Sequence, residues 1–271
     1  MKQIISLYQV DAFTNEIFKG NPAAVCPIEE WLPDRTMQLI ASENNLSETA
    51  FVNLNTSPFS IRWFSPISEV DLCGHATLAS ARILFDEYLS IEESQITFGS
   101  KSGELRAFKK DELIYLDFPV DNPKQVEEHP LILKALGIKP KYLFKGRDDF
   151  LAIFENEEII QSIYPNFNVV SELDSRGLII SSVSSNEDFI SRCFYPKLGV
   201  EEDPVTGSAH TLLTPYWAKV LNKSKLSARQ YSLRGGHLEC QLKGNRVLLG
   251  GGSVRYMEGK IDLRSFLNNK L

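Results

Sequence analysis

The sequence has only four cysteines and four histidines in 271 residues. Cys26, Cys73, Cys193 and Cys240 form no Cys-x-x-Cys pair, and His75, His129, His210 and His237 fall at no zinc-finger spacing. A metal site is therefore not expected. No apolar run approaches the ~18 residues of a membrane helix, and the first residues meet Asp11 too early for a signal peptide. The expectation is a soluble, reduced, cytoplasmic protein. Basic residues are outnumbered, Lys+Arg 29 against Asp+Glu 35 with net charge −6, and they gather only in short groups such as Lys109-Lys110. That argues against a nucleic-acid binder. Also missing are a Gly-x-Ser-x-Gly elbow, a phosphate-binding loop and a Gly-x-Gly-x-x-Gly entering a helix; Gly250-Gly251-Gly252 lacks the last pattern.

What is present is ordinary globular sequence, 43% hydrophobic and 24% charged. Such a chain buries a sizeable core, which excludes disordered, collagen-like and small disulfide-scaffold classes. At ~100–200 residues per domain the length suggests two domains. Residues 4–10 read as a first strand and 23–26 as a second, after the Gly20-Asn21-Pro22 turn. Pro33-Asp34 opens a helix with Met37, Ile40 and Ala41 on one face, ended by Asn44-Asn45. Residues 49–54 and 59–64 read as strands, 76–85 as a buried helix, and 96–118 as strands broken at Gly103 and Lys110-Asp111. The polar stretch from Pro119 to Pro130 reads as a linker between residues 1–118 and 119–271, with the last segment free to return to the first lobe. Residues 131–136 form a helix closed by Gly137.

An internal repeat organises the rest. Arg62-Trp63-Phe64-Ser65-Pro66 recurs as Arg192-Cys193-Phe194-Tyr195-Pro196, 130 positions later. Each copy follows a hairpin and leads through an acidic loop, Glu69-Val70-Asp71 or Glu201-Glu202-Asp203, to Gly74-His75-Ala76 or Gly207-Ser208-Ala209. Each then enters a mostly apolar helix, the second carrying Pro215, which predicts a kink. Two similar lobes follow, each a curved sheet around a central helix.

Gly-x-Ala at a helix start leaves backbone N–H groups unpaired at the positive end of the dipole and lets an anion approach closely. Two such starts facing each other across a lobe interface would hold an acidic substrate. The alternative is that Gly74 and Gly207 only serve tight turns. His75 reads either as an acid–base or donor group or as a structural histidine. Asp203 reads as a site carboxylate or as a partner of the helix dipole, and Ser208 as a site hydroxyl or a cap. Glu48, at a strand mouth beside Ala50 and Phe51, is a proton shuttle if desolvated and a solvated glutamate otherwise.

Taken together, Val10-Asp11-Ala12-Phe13, Gly20-Asn21-Pro22-Ala23-Ala24-Val25, Ser47-Glu48-Thr49-Ala50-Phe51-Val52, Asp71-Leu72-Cys73-Gly74-His75-Ala76-Thr77 and Glu202-Asp203-Pro204-Val205-Thr206-Gly207-Ser208-Ala209 resemble the PhzF family of phenazine-biosynthesis-like isomerases. The resemblance runs in order along essentially the whole chain. It implies the α+β fold of diaminopimelate epimerase: two pseudo-symmetric lobes, each a mixed sheet or barrel wrapped around a central helix. It implies a cofactor-independent, metal-free isomerase, generally a homodimer, that moves a proton within a small carboxylate-bearing substrate held between the lobes. Glu48 matches the general acid/base; His75, Asp203 and Ser208 match the polar residues around it; Gly74 and Gly207, with Ala76 and Ala209, match the helix starts that contact the substrate. A non-catalytic metabolite-binding protein of the same fold is the first alternative. An amino-acid epimerase or racemase is the second, but such enzymes use one thiol per lobe, and here Cys73 pairs with Thr206. A hydroxyl cannot serve as the second thiolate base, which leaves Cys73 as a small buried residue.

Overall fold

The computed structural model describes residues 4–268. By internal contacts the chain divides into two units: one runs to Asp117 and resumes at Gly251, the other is Phe118–Gly250.

The first unit opens with β1 (Ile4–Ala12) and β2 (Asn21–Ile28), paired antiparallel. Helix α1 (Asp34–Asn44) follows, with Pro33 at its N-cap and Asn45 closing it in the left-handed region at φ 49°. It buries Thr36, Met37, Ile40 and Ala41, the face that the apolar spacing predicts. That face packs with Cys26, Phe51 and Phe64 in one apolar cluster. The helix is the crossover that lets β3 (Glu48–Asn53) lie parallel to β2. β4 (Phe59–Phe64) returns antiparallel, and the two-residue β5 (Glu69–Val70) pairs with its end. Helix α2 (Gly74–Glu87) is followed by β6 (Gln95–Ser100), parallel to β4, then by β7 (Gly103–Lys110) and β8 (Leu113–Pro119) in antiparallel succession. α2 packs against β1, β2 and β3. Ala76, Leu78, Ala79, Ala81, Ile83 and Leu84 are all buried, so it is apolar on more than one face, as a helix enclosed by its own sheet must be.

The second unit repeats this order. The stretch expected to be a bare linker contains β9 (Lys124–Gln125), which pairs with β10 (Tyr142–Lys145). Between them lies α3 (Pro130–Leu136), closed by Gly137 at φ 68°. β10 pairs antiparallel with β11 (Asp149–Ile153). The short helices α4 (Glu157–Ser162) and α5 (Phe167–Ser171), each capped by an Asn side chain, carry the chain to β12 (Gly177–Val183), parallel to β11. β13 (Phe189–Phe194) returns antiparallel. Helix α6 (Gly207–Leu221) leads to β14 (Lys225–Gln230), parallel to β13, then to β15 (Gly236–Lys243) and β16 (Arg246–Gly251), both antiparallel. α6 packs against β11, β14 and β15.

Pro215 does not divide α6, which runs unbroken through it. Proline has no N–H to give the carbonyl four residues back, that of Thr211, and this carbonyl accepts the N–H of Asp121 instead, at 3.1 Å. The chain then re-enters the first unit as β17 (Ser253–Asp262), antiparallel to β1 from Ile4↔Asp262 to Ala12↔Ser253, followed by α7 (Arg264–Asn268). Among the described residues no helix is long and apolar enough to cross a membrane.

Candidate active site

Glu48 is the first residue of β3, in register with Ala23 of the parallel β2. Its side chain is one-fifth exposed. His75 is the second residue of α2 and is buried. Its Nε2 lies 3.2 Å from Glu48 Oε2, close enough for a strong electrostatic contact but outside hydrogen-bond alignment. On the other ring nitrogen, His75 Nδ1 is 3.5 Å from Cys73 Sγ. Cys73 is the N-cap of α2, extended at φ −143° and ψ 110°, and its side chain does not cap the helix. Thr77 Oγ1 donates to the Cys73 carbonyl at 2.6 Å, in addition to the helical bond from Thr77 N. Cys73 is thereby fixed as the hinge between loop and helix.

Burial pushes the His75 imidazole down to about 3, so the ring is neutral at ordinary pH. A neutral ring has one N–H and one lone pair, and here each nitrogen faces a side chain. Glu48, Cys73 and His75 carry donor types that can hold a metal, their atoms lying within 4.8 Å of one another. One ring nitrogen thus faces a carboxylate and the other a thiol.

In the second unit Thr206 takes the N-cap of α6, at φ −112° and ψ 98°. Thr206 and not Ser208 therefore occupies the capping position. Its hydroxyl leaves the helix amides uncapped and donates to Asp203 Oδ2 at 2.5 Å. Thr206 N donates to Gln230 Oε1 at 2.8 Å, and Gln230 Nε2 donates to the Asp203 carbonyl at 2.7 Å and to Thr206 Oγ1 at 3.1 Å. Asp203 is thus tied by side chain and backbone to the start of α6. Ser208, half-buried, is the second helical residue; Gly207 and Ala209 are buried on either side. His210 donates through Nδ1 to the Thr206 carbonyl at 2.8 Å, while its buried Nε2 has no partner. Burial pushes this ring down to about 4, against the smaller upward effect of the Thr206 bond.

The repeated Arg-x-Phe motif builds the same brace in each unit. Arg62 grips Glu69 through Nε and Nη2 at 2.7 and 2.9 Å. Arg192 grips Glu202 through the same atoms at 2.7 and 3.1 Å. Each guanidinium lies over the phenylalanine two residues on, Phe64 at 5.2 Å and Phe194 at 5.1 Å. The brace fixes the acidic loop that delivers the chain to the helix start, and it holds the Glu69 carboxyl down to about 2. The strand ladders align the units further. Thr49 opposes Phe64 and Leu178 opposes Phe194, so Glu48 corresponds to Gly177. A Cβ at Gly177 would lie 2.2 Å from the Tyr195 ring. The second unit therefore fills with an aromatic ring the place where the first carries a carboxylate.

The structure brings Glu48 and His75 together, and it ties Asp203 to the start of the helix that bears Ser208. Sequence reasoning missed the contact between Cys73 and the imidazole and the role of Gln230. A glutamine ending a strand carries no local signal, whereas a cysteine two residues before a histidine at a helix start does. Cys73 and Thr206 both sit at N-caps, as the repeat register predicts, so a thiol in the first unit is matched by a hydroxyl in the second.

Residues 10–259 match the protein family described as phenazine biosynthesis-like protein, PhzC-PhzF. An uncharacterized isomerase of Halalkalibacterium halodurans is 49% identical over 259 residues, covering 94% of this chain and 97% of the relative. The crystal structure of a phenazine biosynthesis protein of the PhzF family from Enterococcus faecalis superimposes with TM-score 0.92 at 47% identity, over 95% of this chain and 99% of that one. A hydroxyproline epimerase from Agrobacterium vitis shares the fold alone, with TM-score 0.64 at 10% identity over 97% and 93% of the two chains.

Proposed function

The chain belongs to the phenazine biosynthesis-like PhzC-PhzF family, and from that premise we propose that it is an isomerase in which Glu48 takes a proton from one carbon of a small carboxylate-bearing substrate and returns it at another. The observation that carries this reading is the 3.2 Å approach of Glu48 to a neutral, buried His75. A carboxylate that is one-fifth exposed, at the mouth of a strand and beside a buried imidazole, is held in place to take up a proton and give it back.

Carboxylate recognition is supported by the start of α2, where the N-cap side chain leaves the first-turn amides of Gly74 and Ala76 uncapped. The start of α6, with Gly207, Ser208 and Ala209 and with Asp203 fixed beside it, supports an orienting role for the corresponding residues of the second unit. Shifting a proton by a carboxylate of this kind requires no redox or carrier group, in keeping with a cofactor-independent reaction.

The test is proton exchange in deuterated water with a panel of cyclic and amino carboxylates, followed by NMR. The wild type is expected to label or isomerise at least one of them. Glu48→Gln should lower that rate by about 10²–10⁴-fold, the usual weight of a positioned acid/base. Exchange at the wild-type rate in Glu48→Gln would remove Glu48 from the role. A tight ligand that neither exchanges nor turns over would favour the metabolite-binding alternative.

A further inference from the structure

We propose that Cys73 is a positioning residue: its thiol donates to His75 Nδ1 and so locks the ring in the tautomer whose N–H faces Glu48. The inference rests on the reading of Glu48 as the proton carrier. It starts from geometry, with Sγ 3.5 Å from Nδ1 on one side of the ring and the Glu48 carboxylate 3.2 Å from Nε2 on the other. A neutral imidazole can place its single proton on either nitrogen. While Glu48 is ionised, its charge already favours Nε2–H. Once Glu48 has taken a proton, that preference is gone, because a carboxylic acid can donate to a bare Nε2 as readily as it can accept from Nε2–H. Without a second bias the ring would change tautomer, and the acid proton would be drawn into the contact with the imidazole instead of being returned to the substrate.

The thiol supplies that bias. An S–H pointed at Nδ1 needs a lone pair there, which leaves the ring proton on Nε2 in both states of Glu48. The alternative pairing, a thiolate beside an imidazolium, is disfavoured because burial holds the ring neutral down to about pH 3. The backbone supports the placement: Cys73 is buried at the N-cap, and its carbonyl is held by both N–H and Oγ1 of Thr77. The second unit sharpens the contrast, since the hydroxyl at its N-cap is turned to Asp203.

The experiment is nitrogen NMR of histidine-labelled protein, which reads the protonation of Nδ1 and Nε2 of His75 directly and needs no substrate. Glu48→Gln removes the charge bias and mimics the protonated acid. In that background His75 should remain Nε2–H with Cys73 present. Adding Cys73→Ala should move the tautomer ratio toward Nδ1–H by about tenfold, the weight of one ordinary hydrogen bond, and Cys73→Ser should restore Nε2–H. An Nδ1–H ring in the Glu48→Gln protein would overturn the proposal. So would a ratio unchanged by Cys73→Ala. If the alanine variant fails to fold, the tautomer in Glu48→Gln and in its Cys73→Ser derivative decides alone. Because the readout is a tautomer and not a rate, Cys73 can fail this test while the proton-carrier role of Glu48 stands, and the exchange experiment can fail while the tautomer result stands.

Discussion

The starts of α2 and α6 are the same piece of architecture carrying different chemistry. Each is reached through an acidic loop clamped by an arginine that lies over a phenylalanine. Each begins at a glycine after an extended N-cap whose side chain does not cap the helix. In each, a side chain four residues on, Thr77 or His210, hydrogen-bonds the N-cap carbonyl. The contents differ. The first start is fronted by a thiol, an imidazole and a carboxylate. The second is fronted by a hydroxyl tied to Asp203 and braced by Gln230. At the strand position where one has Glu48 the other has Gly177, its space taken by Tyr195. The backbone arrangement of the helix start is the same in both copies, while a carboxylate, an imidazole and a thiol are gathered in one of them.

Three experiments, each setting one unit against the other, would break or sharpen that comparison. The largest effect is expected at the arginine braces. Arg192 is less exposed than Arg62 and also holds the Ile160 and Ile163 carbonyls, at 3.0 and 2.7 Å. Arg192→Met should therefore destabilise its unit by about 3 kcal/mol or more, because it strands a carboxylate and two carbonyls. Arg62→Met, whose additional partner Asp34 is largely exposed, should cost about 1–2 kcal/mol. Hydrogen exchange resolved by unit reads both, and equal losses would mean that the braces are equivalent after all.

Next is Gly177→Ala. Its Cβ meets the Tyr195 ring and the Phe194 carbonyl, so about 1–3 kcal/mol of overpacking is expected, measured by urea unfolding. Glu48→Gln, at the corresponding ladder position, should change stability by less than about 1 kcal/mol.

The most gradual effect, and near neutral pH the smallest, is that of acid. His75 and His210 are pushed down by burial, from 6.5 to about 3 and about 4. Below about pH 6.5 the unfolded chain binds protons that the folded chain excludes. Their contribution to stability is therefore complete above that pH and is lost as the pH falls, by about 1.4 kcal/mol per pH unit for each ring. His210→Gln should flatten this slope in the second unit alone, and a slope unchanged by that variant would show that its ring does not enter the folded state neutral.

Much of this was legible in the sequence where a local rule governs. Pro33-Asp34 and Asn45 bracket α1 because a proline start and a left-handed stop are backbone requirements. The helix starts at Gly74 and Gly207 follow from the repeated Gly-x-Ala. The arginine braces were visible only as a recurring spelling, since Arg62 meets Glu69, and Arg192 meets Glu202, only once strand and loop fold back on each other. The pairing of Glu48 with His75 joins a strand mouth to a helix start through tertiary packing, and no spacing encodes it. A proline inside a helix can also reset it, yet α6 continues through Pro215, and Asp121 takes up the Thr211 carbonyl that proline leaves without a helical donor. In the second unit α4 and α5 are short elements with weak periodicity, defined by their neighbours more than by their own residues.

The return of β17 to β1 sets an order in time. A ribosome releases residues 118–250 as one contiguous run, while the unit begun first still lacks the strand that pairs with Ile4–Ala12. Domains tend to fold as their sequence emerges, so the second unit can close early and the first only when Ser253–Asp262 arrives. The unit that carries Glu48 is thus started first and finished last, which ties completion of the sheet around Glu48 to synthesis as far as Asp262.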